Sequence, residues 1–220
     1  MKKGKKIIIG IIVALLVVVL VGYIYLFTGS KIKNVSNDVI KGEEGTKSLV
    51  IYFTRQGEIP GNVDAVSSAT QNSNEGMDGS DTEAAARMIQ SLTGADLYQI
   101  YTEHYYRKSF AGTAATAWIE EQLNLRPKLA AKPDNLDDYD TIYVGYPIWW
   151  FNAPMAIGSF LESYDLSGKT IVPFCTSQDN DISVSMDYIK EVASGANVLD
   201  GYRIHGADVD DVKEWLQRIG

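Results

Sequence analysis

Thr141-Ile142-Tyr143-Val144-Gly145-Tyr146-Pro147-Ile148-Trp149-Trp150-Phe151-Asn152-Ala153-Pro154 is the stretch that decides the fold. Thr141–Gly145 is a short, nearly all-apolar run of the kind carried by parallel strands buried on both faces. Pro154 opens a helix that runs through Ser163, its fixed φ already suited to a first helical turn. Between strand and helix stand three consecutive aromatic side chains, Trp149, Trp150 and Phe151. Strand, aromatic loop and helix in that order make a unit of an α/β fold.

The same alternation extends in both directions. Leu49–Phe53 and Thr170–Cys175 are further buried-strand runs, Leu97–Tyr101 is a shorter one, and Asn197–Leu199 with Tyr202–Ile204 makes a weaker last strand. Pro173 lacks the N–H that a central strand needs and predicts a local break in the ladder. Ser80-Asp81-Thr82-Glu83 is a capping box. Ala85, Met88, Ile89 and Leu92 follow it at helical spacing, and Gly94 stands just past the end. Ser109–Gln122 reads as helical. Ile182, Met186, Ile189 and Ala193 mark one more apolar stripe, and Val209, Val212, Leu216 and Ile219 another behind Asp208. Five strands alternating with helices predict a right-handed, doubly wound, five-stranded parallel sheet with helices on both faces. A ligand then belongs outside the C-terminal ends of the strands, where the strand order reverses.

Three loops converge there. In the first, Thr54 ends a strand, and Ser80, Asp81 and Thr82 open the next helix. Free N–H groups at a helix start, with small hydroxyls and no lysine, suit one phosphate monoester rather than a nucleoside triphosphate with magnesium. The same residues also read as an ordinary N-cap. In the second, Tyr146, Pro147, Ile148, Trp149, Trp150, Phe151, Asn152 and Ala153 offer flat apolar walls and backbone polar groups to a planar ring system. Alternatively these rings cover the sheet. The third, Thr176-Ser177-Gln178-Asp179-Asn180-Asp181, closes from the other side, with Asp179 and Asp181 the acids expected nearest the ring. Cys175 reads as a buried, inert thiol, and a single cysteine excludes an intrachain disulfide. His104 and His205 are isolated and suggest no metal site.

The N-terminus is of another character. Lys2, Lys3, Lys5 and Lys6 precede Ile7–Phe27, twenty-one residues without a charge, long enough to span a bilayer as a transmembrane helix. Tyr23, Tyr25 and Phe27 at its exit resemble an interfacial aromatic belt more than a cleavage site. The lysine flank predicts a cytoplasmic N-terminus and an extracytoplasmic domain on a single-pass anchor in the cell membrane. Lys31 and Lys33 add positive charge on the far flank as well. Residues 1–28 are therefore expected to be the anchor, the polar stretch 29–47 a slack linker, and 48–220 the ligand-binding domain. Residues 1–47 hold eight Lys and three acids, whereas the rest holds twelve Lys and Arg against twenty-five Asp and Glu, near −13. That balance rules against nucleic acid as a partner and suits partners with basic faces, though acidity also serves solubility.

Leu49–Thr54, Gly145-Tyr146-Pro147-Ile148-Trp149-Trp150, Ala153-Pro154, Phe160-Leu161-Glu162-Ser163, Leu166-Ser167-Gly168-Lys169 and Pro173-Phe174-Cys175-Thr176-Ser177 together resemble the flavodoxins, above all the short-chain flavodoxin-like proteins of bacteria. The resemblance covers residues 48–220. It implies strand order 2-1-3-4-5 and non-covalent flavin mononucleotide (FMN) at the β1/β3 switch point. Thr54, Arg55 and Thr82 match its phosphate loop, Pro147–Ala153 the segment beside the flavin ring, and Thr176 and Ser177 the third loop, where Gln178 follows as a further candidate contact to the ring. Two features depart from the pattern. An insertion, residues 55–79, separates Thr54 from the helix start, and the third loop lacks the usual glycines after Thr-Ser. Within the insertion, Asp64-Ala65-Val66-Ser67-Ser68-Ala69-Thr70 resembles a covalent flavin-attachment motif ending on Thr70, but Ser68 stands where glycine is expected.

The expected function is that of a membrane-tethered FMN electron carrier working between protein redox partners, with no catalytic acid, base or nucleophile. The rival enzyme reading is an FMN-dependent NAD(P)H:quinone or small-acceptor reductase. The non-redox rival is a binding module on a degenerate flavodoxin fold.

Overall fold

The computed structural model describes residues 2–27, 29–33, 35–55, 80–107, 109–204 and 209–219. Helix α1 (Lys2–Phe27) comes first, and its side chains from Ile7 to Leu20 are exposed all round. The α/β domain follows: β1 (Ser48–Phe53), α2 (Asp81–Thr93), β2 (Asp96–Ile100), α3 (Phe110–Gln122), β3 (Thr141–Pro147), α4 (Met155–Leu161), β4 (Thr170–Thr176), α5 (Ser183–Val192), β5 (Asn197–Val198), β6 (Tyr202–Ile204) and α6 (Val209–Ile219). The strands are all parallel, in the order β2-β1-β3-β4-β5, with β6 also on β4. Both faces are covered. Leu49, Ile51, Phe53, Ile142, Val144 and Tyr146 face α4 and α5, while Val50, Tyr52, Leu97, Val172 and Phe174 face α2 and α6. The doubly wound sheet of the sequence reading is what the chain forms.

Pro173 sits inside β4, paired in register with Val144, and β4 runs on unbroken. The break falls in the neighbouring strand. Ile171 accepts a hydrogen bond from the Leu199 amide at 2.9 Å, so this edge of β4 would next call for a donor at position 173. Proline has none. Pairing lapses after Leu199 and resumes where Tyr202 pairs with Phe174, which is why the last strand comes in two pieces.

The helix ends follow the capping residues. Ser80 caps α2, its Oγ accepting from the Glu83 amide at 3.2 Å, and Glu83 turns outward to Arg87 at 2.8 Å. Ser109 caps α3 by accepting from the Gly112 amide at 3.1 Å. In α6 only Val212 of the expected stripe is buried, with Leu216 and Ile219 partly so and Val209 exposed. Trp215 is the anchor, buried and stacked on Tyr202 with ring centroids 5.2 Å apart.

The stretch 29–47, expected to be slack, is docked on the domain at both its ends. It runs antiparallel to β2 and its extension. Ser30 accepts from the Tyr105 amide at 3.1 Å, Ile32 donates to Glu103 at 3.0 Å, Ile40 and Leu97 exchange two bonds of 2.8 Å, and Glu43 donates to Gly94 at 2.8 Å. Lys31 pairs with Glu103 (2.7 Å) and Lys41 with Asp96 (2.8 Å). An open edge strand invites pairing with another chain, and this strap covers part of that edge. Backbone hydrogen bonding leaves no hydrophobic period in the sequence, so a polar strap reads as a linker.

Candidate functional site

The C-terminal ends of β1, β3 and β4 carry the three loops to one end of the sheet. Residues 56–79 of the insertion lie outside the described residues, as do the Asp64–Thr70 motif and His205. The two ends of that insertion nevertheless meet. Thr54 Oγ1 lies 2.7 Å from Ser80 Oγ, and Thr82 Oγ1 lies 2.7 Å from Thr176 Oγ1. All four side chains are buried. Four hydroxyls from the first and third loops thus gather at the start of α2, where backbone N–H groups and the helix dipole favour an anion. The insertion leaves the strand end and the helix start in contact, as an uninterrupted phosphate loop would. Asp81, partly exposed, sits beside them in the first turn.

Arg55 points elsewhere. It is buried, and its Nη1 donates to Thr113 Oγ1 at 2.8 Å, while Thr113 in turn donates to the Arg107 carbonyl at 2.6 Å. The arginine therefore ties the first loop to α3.

The second loop is a tight reversal. Trp149 and Asn152 exchange backbone hydrogen bonds of 2.8 and 2.9 Å, and the two residues at the corner, Trp150 and Phe151, have φ of 49° and 63°. Left-handed backbone is unfavourable for bulky residues by about 1–2 kcal/mol each. The corner holds two aromatic rings outward at that cost. Trp150 Nε1 donates to the Ala114 carbonyl of α3 at 2.8 Å. Trp149 turns inward, edge-on to Phe53 (5.5 Å) and Tyr106 (5.2 Å). Asn152 holds its own turn by accepting from the Ala153 amide at 2.8 Å, and Ala153 is buried. Pro147 ends β3 and Ile148 donates to the Thr176 carbonyl at 3.2 Å, joining the second loop to the third.

Tyr146 is a correction. Strand alternation places it with Ile142 and Val144 in the core beneath α4 and α5, its hydroxyl 3.0 Å from Ser185 Oγ. Its ring supports the site from behind and cannot wall a ligand. The acids of the third loop are not among the residues that line the cleft. Asp181 turns back to accept from the Ser183 amide at 2.9 Å, which holds its carboxyl below the usual range, and Asp179 is exposed. Asn180 is the residue of that loop that lines the cleft. Ser177 Oγ accepts from the Asn180 amide at 2.9 Å and shapes the turn, with Gln178 exposed at its tip. Cys175 lies buried beneath the loop, its thiol pushed up to about 12 by burial.

A cleft of about 330 Å³ opens between these loops, lined by Arg55, Ile148, Trp149, Trp150, Phe151 and Asn180 and, on the far side, by Phe110, Thr113, Ala114 and Ala117 of α3. That far wall was missed. The signal available was composition, since Ser109–Ile119 contains no charged residue, unusual for a helix at the surface of an acidic domain.

The flavodoxin family profile matches residues 76–219. Two solved structures resemble the chain closely in extent. A protein assigned as a flavoprotein, from Bacteroides uniformis, is 30% identical with a TM-score of 0.63, over 79% of this chain and 99% of its own. Its counterpart from Bacteroides eggerthii is 29% identical with a TM-score of 0.63, over 79% and 98%. A flavoprotein from Lactobacillus acidophilus, solved in complex with FMN, is 21% identical with a TM-score of 0.56, over 78% and 99%, a likeness of fold. No curated protein matches the chain.

Proposed function

The chain belongs to the flavodoxin family, and on that premise we propose that it is a membrane-tethered FMN protein that passes electrons between redox partners. The observation that carries this reading is the joint presence, at one end of the sheet, of a hydroxyl cluster on a helix start and an aromatic cleft beside it. Thr54, Ser80, Thr82 and Thr176 would hold a phosphate monoester. The volume of the cleft falls in the range of small-ligand sites, about 300–1,000 Å³. Trp149, Trp150, Ile148 and Asn180 would face the ring. When bound, the flavin supplies the redox chemistry. Arg55 ties the first loop to α3, and the Trp149–Asn152 turn fixes the aromatic walls before any ligand arrives. The tether reading is supported by Ile7–Phe27, about 31 Å long at 1.5 Å per residue, against a hydrocarbon core of about 30 Å.

The full chain purified in detergent is expected to be yellow, with FMN released by acid precipitation. A colourless protein would remove the FMN reading in favour of a binding module. Flavin that stays on the denatured chain, and is lost in Thr70→Ala, would replace non-covalent binding with a covalent bond. In the same preparation Thr82→Val should weaken FMN by about 1–3 kcal/mol and leave riboflavin, which lacks the phosphate, nearly unaffected. Equal losses for both ligands would take the phosphate away from the start of α2.

One observation favours a reductase as the second reading. The cleft is open to an apolar wall on α3, where a small acceptor could reach the ring. Turnover with NADH or NADPH and no protein partner would select it. The lysine-first flank supports an extracytoplasmic domain. Protease added to intact cells should then cut the domain away, and a domain protected until the membrane is breached would reverse the orientation.

A further inference from the structure

The strap fixes which end of the domain meets the end of α1. It runs opposite to β2, from Ser30 beside Tyr105 down to Glu43 beside Gly94. The chain therefore leaves α1 at the C-terminal end of the strands, the end that carries the cofactor loops. The approach is close at both ends of the strap. A Cβ on Gly29 would collide with the Tyr105 carbonyl oxygen, and one on Gly42 with the carbonyl oxygens of Gly94 and Ala95. His104 Nδ1 lies 2.8 Å from the Gly29 carbonyl oxygen. Phe27, the last residue of α1, shares a small cavity with Tyr106, Thr116 and Glu120. Tyr106 touches Trp149. The helix thus exits one ring away from the aromatic loop.

The helix beside that exit is the one with an apolar outer face. α1 packs next to α3. On the side of α3 away from the core stand Phe110, exposed over 58% of its surface, Ala111, and Trp118, exposed over 48%. Trp150, at 47%, and Phe151, at 66%, continue the patch from the aromatic loop. A face in water on a domain near −13 would be expected to carry acids, as α6 does with Asp210, Asp211 and Glu214. This one carries none between Ser109 and Ile119. Apolar surface of this kind marks an interaction site, and tryptophan on such a face suits the lipid headgroup layer.

We propose that this face of α3 and the tip of the aromatic loop rest in the headgroup layer of the bilayer that α1 spans, so that the cofactor end of the domain faces the membrane. The inference rests on the tether reading above. It commits the patch to phospholipid because the patch is continuous with the apolar helix and the strap leaves that helix no slack. Lys31 and Lys128, both mostly exposed at the same corner, would meet lipid phosphates there. A redox partner dissolved in or embedded in the membrane would then reach the cleft without crossing water.

Spin labels on the full chain in phospholipid vesicles test this. Cys175 is buried, so a thiol-specific nitroxide reports introduced cysteines. Trp118→Cys and Ala111→Cys read the α3 face, Ser194→Cys reads the turn before β5 at the opposite end of the sheet, and Leu16→Cys reads α1. The measurement is relative collision with oxygen and with a water-soluble nickel chelate. Expected is a label deep in hydrocarbon at 16, labels at interfacial depth at 118 and 111 with a severalfold higher oxygen-to-nickel ratio than at 194, and a fully aqueous label at 194. If 16 is embedded while 118 and 111 are as aqueous as 194, the docking is overturned, the tether stands, and the apolar face passes to a protein partner. A label at 16 in water overturns the tether and the docking with it.

Discussion

Replacing Trp150-Phe151 by Asn-Gly is expected to cost the protein its flavin while leaving the stability of the flavin-free form nearly unchanged. Both residues occupy left-handed backbone at the corner of a two-residue reversal between Trp149 and Asn152. Such turns favour Asn-Gly, because those residues accept positive φ cheaply. Removing two strained residues should recover about 2–4 kcal/mol. Against this stand the Trp150–Ala114 hydrogen bond, worth about 1 kcal/mol, and the partial burial of both rings, worth about 2–3 kcal/mol together. The two sides nearly cancel, so the flavin-free variant should match the wild type in stability to within about 1 kcal/mol. Binding changes by more. Loss of two aromatic walls should weaken FMN by about 3 kcal/mol, two orders of magnitude in Kd. Urea unfolding followed by far-UV circular dichroism gives the first quantity, and quenching of FMN fluorescence gives the second. A variant that still binds FMN normally would show that the strained corner does not serve the ligand. Strain held at a binding loop is the usual sign that geometry there is kept for function.

The sheet was legible because parallel strands buried on both faces leave unbroken apolar runs, and Leu49–Phe53 and Thr170–Cys175 are of that kind. Strand ends moved by a residue or so, as with Leu97–Tyr101, which forms at Asp96–Ile100. Two elements were less legible. The α6 stripe omitted Trp215 because its burial depends on the Tyr202 ring stacked against it, a contact between segments. The strap was missed because it is held through backbone amides and carbonyls, and those are the same whichever side chains they carry.

The hydroxyl cluster was legible for a local reason. A strand ending in Thr54 and a helix starting at Ser80-Asp81-Thr82 each have a recognisable form, and parallel topology brings strand ends together. The contact of Thr82 with Thr176 needed the third dimension. Tyr146 was misassigned although alternation could have corrected it, since Ile142, Val144 and Tyr146 stand two apart and share one face of β3. The wall contributed by α3 was hidden because its uncharged surface was read only as helix.

Glu120→Gln is expected to abolish a pH dependence of stability between about pH 4.5 and pH 7. Glu120 lies on the inner side of α3, 4% exposed, and accepts a hydrogen bond from the Tyr106 hydroxyl at 2.8 Å. Burial pushes its carboxyl up to about 7, and the Tyr106 bond only partly offsets this. The same cavity is lined by Glu103, His104 and Lys128. The folded protein thus holds a proton that the unfolded chain releases from an ordinary carboxyl near 4.5. The sign follows. Stability from the protonated carboxyl is fully present below about pH 4.5, declines as pH rises through about 7, and levels off above. A rise from 4.5 to about 7 corresponds to about 3 kcal/mol at 1.36 kcal/mol per pH unit. Glutamine keeps the shape and cannot ionise. The variant and the wild type should therefore be nearly equal in unfolding free energy at pH 5, with the variant more stable by a few kcal/mol at pH 8. Tyr106 transmits the change, because it packs against both Trp149 and Phe53. Ionisation of Glu120 strengthens its hold on the Tyr106 hydroxyl, and tryptophan emission should titrate near pH 7 in the wild type and not in Glu120→Gln. Unfolding profiles that run parallel from pH 5 to pH 8 would show that Glu120 carries the same charge in the folded and unfolded chain. The buried acid beneath the aromatic loop would then be an ordinary packing residue with no part in setting how that loop responds to pH.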